Sequence, residues 1–452
     1  MTLHPATGAH LAPGEVHAAI GRHMLADGYD IVLDLDKSQG RRLYDARGNR
    51  WLLDMFSFFA TLPVGINHPM LKDAEFNERL LRAARVNPTN SDIYTVEMAE
   101  FVATFGRLAQ PAHLPHLFLI AGGTLGVENA LKAAMDWKVR RNLRKGLPAG
   151  KGTQVLHFRE AFHGRSGYAL SLTNTADPRK YQYFAHFDWP RVSNPKLSFP
   201  VNEDVLERVR RAENESLDEI KNAFATRRDE ICCIILEPIQ GEGGDNHFRP
   251  EFLRALRDVA HENESLLVFD EVQTGMGLTG RMWAHQHDDI RPDLLSFGKK
   301  TQVCGCMGGP KLDEEPDNVF RMSSRINSTW GGNLVDMVRC QRYLEIMEAE
   351  KLVENSAIVG AHLKRGLEAL VAERPDVLGN PRGRGLMCAV DFPDSATRDA
   401  AAERCYETGM MILSCGRAGL RFRPPLDITE AEVDEGLGIL RGAVAKVASS
   451  AA

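Results

Sequence analysis

Two short apolar runs in this sequence end abruptly in polar chemistry. LLVF is followed at once by Asp270 and Glu271, and LLSFG by Lys299 and Lys300, with Lys299 29 residues beyond Asp270. A carboxylate at the end of a buried strand costs desolvation energy unless it meets a partner. An amine at the end of a neighbouring strand can form a Schiff base, provided its pKa falls far enough for it to act as nucleophile and proton carrier. Such a pair can hold pyridoxal 5'-phosphate: the amine carries the cofactor and the carboxylate keeps its ring nitrogen protonated. The spacing leaves open which of the two lysines serves. A magnesium site at Asp270 would need a Gly-x-x-x-x-Gly-Lys-Ser/Thr loop, which is absent.

Other polar interruptions fall at the ends of similar runs. Gly122, Gly123 and Thr124 follow LFLIA and open a helical stretch. Free N–H groups and the helix dipole there can cradle a phosphate, although any tight strand-to-helix turn uses glycine. Phe162, His163 and Gly164 follow VLHFREA. The aromatic ring can stack on a flat heterocycle or simply fill the core.

The elements that must position these residues are strands alternating with helices. LPHLFLIA, TQVLHFREAFHG, ICCIILEPIQGEGG, SLLVFDEVQTG and DLLSFGKK read as strands, with helical stretches such as PEFLRALRDVAHEN between some of them. That alternation predicts an α/β fold with a mostly parallel sheet covered by helices on both faces, and ligands at the carboxyl ends of its strands. Residues 14–28 read as an amphipathic helix, followed by a small antiparallel meander. From about 333 the chain reads as two helices, several short strands and a final helix. The division expected is 1–74 and 333–452 as a smaller α+β domain from both termini, and 75–332 as the large cofactor-binding domain. The unpatterned stretch 174–202 is too long for an ordinary connection and is expected to shape a site or an interface.

Composition narrows the function classes. The 452 residues exceed one ordinary core. A net charge of -6 argues against nucleic acid as the main partner. No apolar run approaches the roughly 18 residues that span a bilayer. The N-terminal residues show no basic start followed by an apolar segment, and the eight cysteines show no C-x-x-C spacing. The expectation is a cytoplasmic protein with reduced thiols, no membrane association and no metal. A nucleotide-dependent oxidoreductase fits the α/β pattern but lacks Gly-x-Gly-x-x-Gly after a first strand. A binding protein that has lost its cofactor is a further alternative.

Taken together, GGT opening a helix, AFHG, LEPIQGEGG, VFDEVQTGMGLTG, FGKK, NSTWGGN and GLRFRPPL resemble the class III (ω-) aminotransferases of fold type I, in family order over roughly residues 40–425. Stretches such as FHGRSGYALSLTNT, EPIQGEGGDNHFRPEF, FGKKTQVCG and PRGRGLMC carry a closer likeness to the branch of that class that acts on lysine. GGT stands where many relatives have Ser-Gly.

The resemblance implies a cofactor, pyridoxal phosphate, and a role for each matching residue. Lys299 is similar to the Schiff-base lysine and Asp270 to the partner of the ring nitrogen. Gln273 matches the residue bonded to the cofactor's phenolic oxygen, and Gly123 and Thr124 the phosphate cup. Phe162, with His163 beside it, resembles the stacking aromatic. Ser328 and Thr329 resemble a loop that reaches the phosphate in a neighbouring subunit, which implies a homodimer with sites at the interface. For the substrates L-lysine and 2-oxoglutarate, the resemblance implies Arg165 as receptor of the distal carboxylate and Arg421 of the proximal one. Glu242 resembles a switch acid that pairs with Arg421 during the lysine half-reaction. Ornithine, 2,4-diaminobutyrate and 4-aminobutyrate are the alternative donors within the class.

Overall fold

The computed structural model describes residues 11–451; the first ten residues of the expected 1–74 segment lie outside them. Its largest sheet has seven strands: β1 (His116–Ile120), β2 (Gln154–Phe158), β3 (Arg191–Val192), β4 (Ile231–Leu236), β5 (Leu266–Asp270), β6 (Leu294–Phe297) and β7 (Cys304–Gly308). They lie in the order β1-β7-β6-β5-β4-β2-β3. Six run parallel, and β7 is inserted antiparallel between β1 and β6.

Both faces of this sheet are buried, which is why its central strands are continuously apolar. Alternate side chains point to opposite faces. Leu266 and Val268 of β5 join Cys233 and Ile235 of β4 in a core with Val127, Leu131 and Ala134 of the helix Gly123–Arg144. Leu267 and Phe269 join Ile234 and Leu236 in a second core with Phe252 and Leu256 of the helix Pro250–Glu262. Asp270 therefore falls on the side of the sheet that carries the helix Gly123–Arg144, at the end where that helix begins.

A second sheet is antiparallel. Its strands β8 (Gly379–Arg384), β9 (Met387–Asp391), β10 (Leu413–Cys415) and β11 (Gly419–Phe422) lie in the order β8-β9-β11-β10. Long helices, Leu334–Ala349, Leu352–Glu373 and Glu430–Ala451, precede and follow it. The hairpin Arg42–Asp45/Arg50–Asp54 takes Met410–Met411 as a third, parallel strand, so the two ends of the chain share one small sheet.

One expectation needs correction, and two strands add to the sequence reading. The helix expected over 14–28 is confined to Val16–Gly21 after a short 3-10 turn, Pro13–Glu15. Gly21, a poor helix former, is its last residue, and so short an amphipathic stretch lacks the length to sustain an isolated helix. The stretch 174–202 contains the edge strand β3, which pairs with β2. The sequence CGCMG, too small and too glycine-rich to read as a strand, forms β7, buried throughout.

After the hairpin the chain makes a turn of unusual hand. Ser57, Phe58, Phe59 and Ala60 all have positive φ, between 40° and 65°. None is glycine, and each such residue costs on the order of 1 kcal/mol. The turn is braced from several sides. Ser57 N–H and Phe56 N–H donate to Asp54, Ser57 Oγ donates to the carbonyl of Arg423 at 2.6 Å, and Lys300 Nζ donates to the carbonyl of Ala60 at 3.0 Å.

Candidate active site

β5 and β6 pair in parallel with Ser296 opposite Asp270, so Lys299 leaves the sheet three residues beyond the point level with Asp270. The 28 intervening residues are only the crossover. A cavity of about 220 Å³ opens there, lined by Gly123, Thr124, Phe162, His163, Gly164, Glu237, Asp270, Val272, Gln273 and Lys299. The two lysines part company. Lys299 adopts a positive φ of 55° and faces the cavity, whereas Lys300 is turned away and buried under the left-handed turn.

Asp270 is 4% exposed and held on both oxygens. Oδ2 lies 2.8 Å from His163 Nδ1, and Oδ1 accepts from the Val272 N–H at 3.0 Å and from Ser296 Oγ at 3.2 Å. His163 is fixed in turn: its N–H donates to Thr173 Oγ1 at 3.0 Å, while its Nε2 is buried without a partner among the described residues. Glu237, at the end of β4, accepts from the N–H of Phe162 and of Gly241, each at 3.0 Å. Burial, reinforced by the charge of Asp270, pushes its carboxyl up to about 7, against the pull of His163 and the two N–H groups. Glu237 thus ties the Phe162 segment to the loop that carries Glu242.

The Lys299 amine is pushed down to about 8 by burial first, then by the charges of Arg421 and Arg423, with Glu242 and Glu237 acting in the opposite sense. A substantial fraction is therefore neutral near pH 7.5, which a lysine needs in order to attack a carbonyl.

Opposite this floor stands a charged rim. Arg421 projects from β11, where it pairs with Ala389 and Leu413. Its Nη2 donates to Glu242 Oε2 at 2.6 Å and its Nη1 to Gln273 Oε1 at 3.2 Å. Arg423, fully buried, donates to the same Gln273 oxygen at 3.1 Å and also binds the buried Asp245. Two arginines thus occupy the amide oxygen of Gln273, leaving its NH₂ as the group that can donate into the cavity. The second oxygen of Glu242 accepts from Lys180 Nζ. Burial by itself would raise Glu242, but Arg421 and Lys180 hold it below the ordinary carboxylate range. Arg165 is exposed, 6.0 Å from the centre of the Phe162 ring, and has no carboxylate partner among the described residues.

Ser328 and Thr329 stand apart from the rest: neither lines the cavity. Their loop packs on Ser91, whose Oγ donates to the carbonyls of both, and Gly331 N–H donates to Ser328 Oγ at 3.1 Å. Exposed Tyr94 shares a hollow with Ser91, Asn327 and Gly331 beside this loop, and Trp330 within it is exposed too.

The cavity fits pyridoxal phosphate on its own chemistry. An amine suits the aldehyde, a doubly braced carboxylate suits a protonated ring nitrogen, and the flat face of Phe162 suits the ring. The first turn of the helix Gly123–Arg144 suits the phosphate, with free N–H groups beside Thr124. Gly164, at φ 135°, leaves the necessary room: a Cβ there would lie 2.3 Å from Thr124 Oγ1. Among these residues Glu237, Ser296 and Lys180 escaped the sequence reading. Glu237 had a signal, an acid directly after the six apolar residues of β4; Lys180, in an unpatterned loop, had none.

Comparisons with known proteins agree with this geometry. The family model described as Aminotransferase class-III matches residues 24–444. The L-lysine-epsilon aminotransferase of Mycobacterium tuberculosis strain H37Rv is 50% identical over 438 residues, covering 97% of each chain. That of Amycolatopsis lactamdurans is 52% identical over 433 residues, 95% of this chain and 96% of the other. The solved lysine aminotransferase of M. tuberculosis superposes with a TM-score of 0.94 at 50% identity, over 97% of this chain and 100% of that one.

Proposed function

Since this chain belongs to the class-III aminotransferases, we propose that it moves the ε-amino group of L-lysine to 2-oxoglutarate, giving 2-aminoadipate 6-semialdehyde and L-glutamate. The fold is type I and the cofactor is pyridoxal 5'-phosphate. When bound, the cofactor supplies a carbonyl carbon that takes the amino group and a ring that draws electrons away from the carbon losing its proton. Lys299 Nζ holds the cofactor and moves the proton at the ε-carbon of lysine. Asp270, fixed by His163, Ser296 and the Val272 N–H, keeps a proton on the facing ring nitrogen. Phe162 covers the ring, Gln273 donates its NH₂ to the phenolic oxygen, and Gly123 and Thr124 take the phosphate.

The observation that carries the substrate assignment is the Arg421–Glu242 pair, 2.6 Å apart at the rim. Lysine reacts at its ε-amine, so its carboxylate lies several bonds from the reacting carbon and suits Arg165. Arg421 would then be an uncompensated buried cation unless an acid answers it, and Glu242 does so. Glutamate reacts at its α-amine and brings a second carboxylate close to the reacting carbon. That carboxylate takes Arg421, and Glu242 moves aside.

The working unit in this reading is a homodimer whose exposed apolar surface around Trp330 is covered by the second copy, with Ser328 and Thr329 reaching that copy's phosphate. Residues 1–74 and 333–452 serve as the small domain that brings Arg421 to the large one, 75–332. Eight free, buried cysteines suit a reducing cytoplasm. No helix among the described residues is long and apolar enough to cross a membrane. A donor panel with 2-oxoglutarate tests the assignment. L-lysine is expected to give the highest kcat/KM; a higher value for ornithine, 2,4-diaminobutyrate or 4-aminobutyrate would replace it.

A further inference from the structure

Glu242 has two cations, and the switch described above uses one of them. Oε2 meets Arg421 Nη2 at 2.6 Å, and Oε1 meets Lys180 Nζ. The acid is 22% exposed, Lys180 18% and Arg421 5%, so all three lie in a rim that water reaches poorly. Lys180 arrives from a separate part of the chain, a short turn Pro178–Lys180 in the long connection before β3. That connection is secured by Tyr181 Oη donating to the carbonyl of Thr175 at 3.3 Å and by Phe187 N–H donating to Ser171 Oγ at 3.0 Å.

The backbone that carries Glu242 is closely packed on both sides. A Cβ on Gly241 would lie 2.3 Å from Gln273 Oε1, and one on Gly243 would lie 2.0 Å from the carbonyl of Glu160. The carbonyl of Glu242 itself accepts from Gly416 N–H at 2.9 Å. Rotation of the Glu242 side chain releases Arg421 without disturbing this packing. A carboxylate that rotated away with no second cation would become a poorly solvated, unpaired anion, which costs several kcal/mol by the general behaviour of broken buried pairs.

We propose that Lys180 is a positioning residue for the switch: it keeps hold of Glu242 while Arg421 is handed to a substrate carboxylate. This rests on the switch reading of Arg421 and Glu242. Glu242 then passes between two paired states, bridging both cations in the lysine half-reaction and bound to Lys180 alone in the glutamate half-reaction. Removing Lys180 leaves Arg421 as the acid's sole cation, so the incoming carboxylate must compete against a tighter pair. The penalty falls on the half-reaction that needs Arg421 free.

Single-turnover absorbance changes of the holoenzyme with L-lysine, and of the enzyme preloaded with the amino group with 2-oxoglutarate, read the two halves separately. Lys180→Met is expected to raise the 2-oxoglutarate concentration for half-maximal rate about tenfold, the scale of one charged hydrogen bond, and to leave the lysine half unchanged. Lys180→Arg restores most of the loss. With Glu242→Ala already in place, adding Lys180→Met changes nothing further, because the acid it positions is gone. Equal losses in both halves, or no loss in either, overturn the proposal. So does a Lys180→Met penalty that persists without Glu242, which would make Lys180 a direct substrate contact. If Glu242→Ala fails to separate the halves, the switch itself falls; if it separates them and Lys180→Met does not, only the role of Lys180 falls.

Discussion

The floor of the cavity and its rim are built on opposite plans. On the floor, both carboxylates are held more than once: Asp270 by His163, Ser296 and the Val272 N–H, and Glu237 by two backbone N–H groups. These residues stand at the ends of strands whose flanking side chains are sealed into two cores. On the rim, Glu242, Arg421 and Lys180 come from three distant stretches of chain, and their bonds are ion pairs with exchangeable partners. In the function proposed above, the floor would serve one cofactor that stays and the rim two substrates that alternate. Rigidity and exchange are separated in space, and within each region the cost of the arrangement matches its use.

The strongest way to break the floor is Lys299→Ala. Turnover is expected to fall by more than about a thousandfold, the combined scale of lost covalent and proton-transfer catalysis, and borohydride should trap no cofactor on the protein. Normal turnover in this variant would end the assignment. The rim should fail differently. Glu242→Ala is expected to slow the lysine half-reaction by about tenfold to a hundredfold, since it strands Arg421 as an unpaired charge, and to affect the glutamate half much less. Equal losses in single-turnover assays would erase the distinction between the regions.

Gly164→Ala probes the packing of the floor without touching a reacting group. The added methyl meets Thr124 in a backbone conformation that disfavours any side chain, at a cost of about 1–3 kcal/mol. It should show as weaker cofactor retention by equilibrium dialysis, with the ratio of the two half-reactions unaltered. The smallest effect is one of pH. In the apoprotein the Lys299 amine is depressed to about 8 by burial, Arg421 and Arg423, so capture of free cofactor should quicken with rising pH and level off above about 8. Arg421→Gln removes one of the depressing charges and should move that midpoint upward. The sign for stability runs the same way. An amine depressed from 10.5 binds fewer protons folded than unfolded between about 8 and 10.5, so its unfavourable contribution is relieved as pH rises through that window.

Much of the floor was legible in the sequence because its chemistry interrupts apolar runs: Asp270 after LLVF, Lys299 after LLSFG, Phe162 after VLHFREA. A buried strand leaves a signal over several residues, and its end leaves another. β7 was not legible, since CGCMG carries neither branched residues nor alternation. β3, two residues long, is fixed by pairing with β2 rather than by its own composition. The rim was read through family resemblance, as Arg165, Arg421 and Glu242, and Lys180 was missed altogether. Its importance arises only when a loop lays it against an acid 62 residues away, and no local pattern encodes such a meeting.

The left-handed turn at Ser57–Ala60 makes the order of assembly matter. Its hydrogen bonds end on the carbonyl of Arg423 at one side and on the amine of Lys300 at the other, so the early chain is bolted to the residue after Lys299 and to the end of the strand bearing Arg421. A strained segment of this kind persists only once both supports are in place. A chain cut after its first sixty or so residues loses the anchor that Lys300, next to Lys299, finds on the carbonyl of Ala60. The colour of bound cofactor is then expected to report, molecule by molecule, whether the two ends of the chain have met.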